Sequence, residues 1–307
     1  MSETLYIDTG EFEEREAIFT ADYAGKRLDA ALSEYFPDLS RNRIQTLIEG
    51  KCVQPSGLTK NSKVKAGDKV ILHVNERVPL TAAPEDIPLN VVYEDEDVIV
   101  IDKERGMVVH PAKGNTSGTL VNALLWHCEL EGEGLRPGIV HRIDKNTSGL
   151  LVVTKNDAAH AALAAQFAAH TITRRYMAIV ARGFSEGEGT VDAPLGRDPK
   201  NRLKQVVHPG GKRAVTHWRM IEPLKDYTVL ELSLETGRTH QIRAHMAMIG
   251  HPVLGDDLYG AAKGLAAGEG QYLHAFELGF DHPKNGERLL FESPLPPYFT
   301  EMLEKLR

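Results

Sequence analysis

Cysteine is nearly absent. The 307 residues hold two, Cys52 and Cys128, far apart and in no C-x-x-C pattern. This excludes a disulfide scaffold and a cysteine-ligated metal or redox motif, and it fits a reducing compartment in which both thiols are ordinary packing residues. Long apolar runs are missing as well. No stretch approaches the ~18 residues of a membrane span, and the acidic opening MSETLYIDTGEFEERE has neither the basic nor the apolar region of a signal peptide, so the expected location is cytoplasmic. No G-K-[ST] follows the glycine-punctuated stretch after Gly106, and no G-x-G-x-x-G opens a helix after a strand, which disfavours a nucleotide cofactor. Positive charge is not in excess either: 36 basic residues stand against 43 acidic ones, a formal net charge of −7. Taken as a total, that argues against a polyanionic partner.

The distribution of charge points the other way. Between Asp38 and Lys65 six basic residues (Arg41, Arg43, Lys51, Lys60, Lys63, Lys65) face two acidic ones. Between Arg197 and Arg219 seven (Arg197, Lys200, Arg202, Lys204, Lys212, Arg213, Arg219) face Asp198 alone. Local stripes of this kind are what a protein needs to neutralise RNA phosphates, although either stripe alone reads equally well as a solvated face.

Length and a 42% hydrophobic content predict about two folded domains. Residues 1–16 read as an acidic lead-in with little to pack. In residues 17–76, Leu28, Ala31, Leu32 and Tyr35 form a helical stripe, Ser40 reads as the N-cap of a second short helix with Gly50 as its stop, and KVILHV alternates as a strand. Two short helices, a basic loop and a strand introduced by Gly67-Asp68 resemble the S-four-type RNA-binding domain over about Ala24 to Asn75. Three prolines (Pro79, Pro84 and Pro88) mark 77–90 as an extended linker, and 91–307 is expected to form the larger domain.

In that domain HRIDKNTSG, residues 141–149, sets Asp144 between Arg142 and Lys145 just before a strand. The stretch is compatible with an active-site loop and with a charged turn. Asp157 reads as the cap of an alanine-rich helix. Tyr176 follows the pair Arg174-Arg175 on the next strand, and GRTHQIRAHM places Arg238 and Arg243 where a strand leads into a helix. Zinc is disfavoured because His240, His245 and His251 lack H-E-x-x-H spacing. A serine hydrolase lacks its G-x-S-x-G elbow, and a two-carboxylate glycosidase lacks a second acid in an equally dense motif.

HRIDKNTSGLLVV resembles the catalytic motif of the RluA-type family of RNA pseudouridine synthases, with Ile143 at the usual leucine. RRYMAIV, GRTHQIRAHM and HPVLGDDLYG resemble further motifs of that family in the same order. VVHPAKGNTSGTLVNALL resembles its first motif, although DKERG replaces the common K-P-A-G or K-P-S-G. The likeness runs from about Val91 onward, and with TVDAPLGRDPKNR it is strongest to the family's ribosomal large-subunit branch, the D type. It implies an α+β fold with a mixed, mainly antiparallel central sheet, flanking helices and loops, preceded by the S-four-like domain. It also implies an isomerase that turns uridine in RNA into pseudouridine after base flipping, needing no cofactor and no metal. Asp144, Tyr176 and Arg243 would be catalytic, and the Thr147-Ser148-Gly149 turn would hold the loop's shape. Arg142, Arg238, His141, Arg41, Arg43, Lys204 and Arg213 would bind the RNA, most readily large-subunit ribosomal RNA, in a protein expected to be a monomer. A transfer RNA substrate and a non-catalytic assembly factor on the same fold are the alternatives.

Overall fold

Strand alternation decides which residues meet in this molecule. The computed structural model describes residues 6–79, 82–112, 114–128, 130, 136–260 and 265–307. The first five residues of the expected lead-in and positions 80–81 of the expected linker lie outside them. Two units separate, Met1–Leu80 and Thr81–Arg307.

The first unit contains β1 (Tyr6–Ile18), α1 (Leu28–Tyr35), α2 (Arg41–Glu49), β2 (Val53–Gln54) and β3 (Lys69–Pro79). Its sheet has the order β1-β3-β2, both pairings antiparallel. Leu28, Leu32, Ile44 and Leu47 of the helices pack on Val53, Val70 and Leu72 of the strands. Ser40 caps α2 by accepting a hydrogen bond from the Arg43 N–H. Gly50 ends that helix, but its φ of −75° is ordinary, and the left-handed residue is Lys51 (φ 60°). The expected acidic lead-in is instead a strand. Its register with β3 runs from Tyr6↔Pro79 to Ile18↔Lys69, interrupted by a bulge between Asp8 and Phe12. A pairing partner some 60 residues away supplies the backbone hydrogen bonds that a local reading of polar residues cannot see. Glu16 sits on the solvated side, 2.8 Å from Lys69.

The second unit adds β4 (Val91–Glu94), β5 (Val98–Lys103), α3 (Leu120–His127), β6 (Ser148–Thr154), α4 (Asp157–Ala169), β7 (Thr173–Ala181), β8 (Glu188–Asp192), β9 (Leu195–Arg197), β10 (Gln205–Val207), β11 (Val215–Pro223), β12 (Tyr227–Leu234), α5 (Gln241–Met248), β13 (Leu273–Asp281), β14 (Arg288–Glu292) and α6 (Pro297–Leu306). Its main sheet is ordered β4-β5-β6-β13-β7-β12-β11-β8, with β14 also paired to β13. Only β6 and β13 run parallel; every other pairing is antiparallel. β9 and β10 form a separate hairpin.

Residues two apart share a face. Ile99, Ile101, Leu151, Val153, Tyr176, Ala178 and Val180 therefore pack on one side with Leu120 of α3 and Ile242 and Met246 of α5. Val98, Val100, Leu150 and Val152 pack on the other with Ala159 and Leu163 of α4. The α4 cap is Asn156, whose side chain accepts from the Ala159 N–H, rather than Asp157. Among the described residues no helix is long and apolar enough to cross a membrane.

Candidate active site

The backbone of the loop that carries Asp144 is held from several sides. The Thr147 N–H donates to the Asp144 carbonyl at 3.1 Å, and the Lys145 carbonyl accepts from the Gly106 N–H at 2.9 Å. Gln271 donates to Thr147 Oγ1 at 3.0 Å, and Ser148 Oγ lies 2.8 Å from both His274 Nδ1 and Tyr298 Oη. Gly149 has φ +109°, and a Cβ there would come within 2.2 Å of the Ala275 carbonyl oxygen. Glycine thus permits the close approach that lets β6 pair with β13. The hydroxyls and the glycine hold the loop's shape. In DKERG, Arg105 is clamped between the rings of Tyr272 and Tyr298, 4.8 and 4.4 Å from their centroids, and donates to the Gly270 carbonyl. The departure from the family's first motif is accommodated by this stacking.

Lys103 supports the same loop from beneath. It is 1% exposed, and its ammonium donates to the carbonyls of Glu104 (2.7 Å), Met107 (2.9 Å) and Lys145 (3.2 Å). Burial pushes its pKa down to about 7, against the opposing pull of Asp144, Asp102 and Glu104. Because the folded value lies below the ordinary lysine value of 10.5, the unfolded chain binds the extra proton between pH 7 and 10.5. Stability therefore rises with pH across that window. In urea unfolding from pH 7 to 10, the stability of the native protein relative to Lys103→Met is expected to rise by up to about 1.4 kcal/mol per pH unit. Parallel curves for the two proteins would mean that Lys103 titrates normally.

Arg243 connects the loop to a second buried carboxylate. From the third position of α5 its Nη1 donates to Asp144 Oδ2 at 2.9 Å, while Nε and Nη2 hold Asp256 Oδ2 and Oδ1 at 2.7 and 2.9 Å. Asp256 also accepts from the N–H groups of Leu258 and Tyr259, so its carboxylate is fully occupied. Burial works against the charge of Arg243, but its hydrogen bonds and Coulombic attraction to Asp256 and Asp144 outweigh that and hold its pKa above the usual arginine range. A guanidinium held by Asp256 through Nε and Nη2 has its plane fixed, and it presents an Nη1 N–H to Asp144.

His240 precedes α5 in a left-handed conformation (φ 54°). Its Nε2 lies 3.9 Å from Asp144 Oδ1, and its Nδ1 lies 3.1 Å from Tyr259 Oη. Burial pushes its pKa down. Tyr259 also accepts the Gln205 N–H at 2.6 Å, so the ring links the β9–β10 hairpin to the α5 start. His245 and His251 turn to other partners, Thr216 with the Ala193 carbonyl and the Ala181 carbonyl, and do not converge with His240.

Asp144, His240 and Arg243 border a cavity of about 540 Å³. Tyr176, 7% exposed, lines it, and burial pushes the phenol pKa up. Among the described residues that line it, Asp144 is the one carboxylate, against five arginines: Arg136, Arg142, Arg174, Arg238 and Arg243. The site is strongly positive in a chain of net negative charge.

The other expected RNA-contact residues fare unequally. Arg142 is exposed and donates to His110 Nε2 at 2.9 Å; burial and the neighbouring Arg142 and Arg136 charges push the His110 pKa down to about 4, so the ring is a neutral acceptor. Arg238 is exposed at the rim and donates to the Arg213 carbonyl. His141, expected at the RNA, is instead committed to the scaffold: Nε2 accepts the Val152 N–H at 3.0 Å, the ring packs on Phe167, and burial pushes its pKa down to about 3. It forms an uncharged wall of the cavity.

Arg213 is paired with Glu235 and Arg219 with Glu231, while Arg197, Lys200, Arg202 and Lys212 of the same stripe are exposed. Lys204 lies over the Tyr259 ring at 5.7 Å. In the first unit Arg41 bonds the buried Asp29, and Arg43 is half-buried on α2. Sequence reasoning passed over Lys103, Arg174, Asp256 and Tyr259, and weighed His240 only as a metal ligand. HPVLGDDLYG held two of these, but nothing local distinguishes Asp256 from Asp257.

A family described as RNA pseudouridylate synthase matches residues 97–248. A ribosomal large subunit pseudouridine synthase D of Zymomonas mobilis is 51% identical, over 90% of this chain and 92% of its own length. An RNA pseudouridine synthase of Bacillus subtilis described as uncharacterized is 48% identical, over 92% and 94%. Among solved structures, the human RNA Pseudouridylate Synthase Domain Containing 1 is similar in fold, with a TM-score of 0.56 at 24% identity, over 73% of this chain and 96% of that one.

Proposed function

Since the chain belongs to the RNA pseudouridylate synthase family, we propose that it isomerises uridine in large-subunit ribosomal RNA, with Asp144 acting at the sugar of a uridine flipped into the cavity. The observation that carries this reading is the lone carboxylate, bonded to the doubly anchored Arg243, in an arginine-lined cavity beside a buried tyrosine. Ribosomal RNA as substrate draws support from the names of relatives 44–51% identical to this chain.

The reaction breaks the bond from uracil N1 to the sugar C1′, turns the base, and joins C5 to C1′. N1 gains a proton and C5 releases one, so nothing is oxidised and no water is consumed. A carboxylate at the sugar serves as nucleophile or balances the charge that develops there. Tyr176 offers a ring face for the base and a phenol that can donate and take back a proton. Unstacking the uridine costs a few kcal/mol, which attraction between the flanking phosphates and the cavity's arginines offsets. The first unit, with Lys51, Lys63 and Lys65 exposed, is assigned as the docking module that selects the RNA.

Incubation with RNA tritiated at uridine C5 is expected to release tritium to water without free uracil. Free uracil would make the protein a base hydrolase. Carbodiimide treatment and reverse transcription, with and without the gene, is expected to place the lost pseudouridines in large-subunit ribosomal RNA; stops lost from transfer RNA would overturn the substrate.

A further inference from the structure

Among the five arginines that line the cavity, Arg174 is the one buried without a carboxylate among the described residues. It stands two residues before Tyr176 on β7, so both side chains face the same way, and both line the cavity. It is 8% exposed. Among the described residues no carboxylate pairs with it. Nη2 donates to the Glu235 carbonyl at 3.1 Å and the Leu234 carbonyl at 3.4 Å, the guanidinium lies 5.4 Å over the Phe167 ring, and Nε has no hydrogen-bond partner. Its neighbour Arg175, on the opposite face, is paired with Glu277 at 3.3 Å.

The chain also makes room for this side chain. A Cβ on Gly237 would come within 2.6 Å of Arg174 Nη1. Arg238, on the same rim, is close enough to add a repulsive charge. Two guanidinium groups facing one cavity, one of them buried without a counter-charge, are stable together only when an anion completes them. A uracil carbonyl could accept a hydrogen bond here, but it would leave both charges unbalanced.

We propose that the Arg174 end of the cavity is a phosphate subsite, which takes a backbone phosphate flanking the uridine that lies against Tyr176, with Arg238 closing it at the rim. The inference rests on the reading of the cavity as the RNA site. It assigns Arg174 to positioning the strand, separately from the chemistry at Asp144.

The test is filter binding of a large-subunit ribosomal RNA transcript to the full chain between about 50 and 200 mM salt. Each neutralised phosphate contributes about 0.7–0.9 to the slope of log K against log salt. Arg174→Gln is expected to lower the slope by about that amount, while Arg174→Lys keeps it. An unchanged slope in Arg174→Gln, or an equal loss in Arg174→Lys, would overturn the subsite. Should Arg174→Gln fail to fold, Gly237→Ala, whose methyl displaces the guanidinium, is read in the same way. Binding is measured without turnover, so a normal slope change with no tritium release would sink the isomerase reading and leave the subsite standing. If the native chain fails to bind the transcript, both fall.

Discussion

Asp144→Asn is expected to abolish tritium release from C5-labelled RNA, by on the order of 10⁴-fold or more, while the affinity for the same RNA changes by no more than a few-fold. Asparagine keeps the size of the side chain and an oxygen for the Arg243 Nη1 bond at 2.9 Å, so the loop has no reason to move. What it removes is the negative charge and the nucleophilic oxygen. The five arginines of the cavity are untouched. Release by the variant at a rate near the native one would exclude Asp144 from the chemistry. Loss of RNA binding in step with activity would make it a binding residue.

Arg243→Met should be nearly as damaging, and for two separable reasons. Asp144 loses its hydrogen bond to a cation, and Asp256, with its side chain 0% exposed, loses both of its hydrogen bonds to Arg243. Stranding a buried carboxylate costs about 3–5 kcal/mol, which in a domain of this size is roughly 10 °C in Tm. Combining Arg243→Met with Asp256→Asn removes the stranded charge and keeps an oxygen for the Leu258 and Tyr259 N–H groups. The double variant is expected to recover most of the lost Tm in calorimetry and none of the tritium release. Recovery of both would mean that Arg243 acts only through stability.

Which parts of this site were legible in the sequence follows from which interactions are local. The strand period already places Tyr176 on the same face as Arg174 and opposite Arg175. The distinction between Arg238 and Arg243 depends on where α5 begins. Because the helix starts at Gln241, Arg243 turns inward and Arg238 is left at the exposed rim. Motif order singled out the Asp144 loop, but the partnership of Asp144 with Arg243 spans 99 residues and is visible only once the sheet is assembled.

The same holds for Asp256, whose burial is set by Arg243 and by its own turn. The bond that His141 makes to a backbone N–H of β6 is likewise hidden until the strand is in place. The acidic strand β1 was hidden for a related reason: no local pattern reports a partner in β3. In the sheet, one mixed and mainly antiparallel layer was expected and found, but β14 was not foreseen.

The position of β13 has a consequence for how the protein is made. β6 follows directly on the Asp144 loop and β7 bears Tyr176, yet the two strands do not touch; β13 lies between them and pairs with both. A nascent chain that has not yet passed residue 281 therefore holds its two halves of the cavity with no backbone bridge between them. The backbone link between the two halves of the cavity is supplied by one of the last strands to be made.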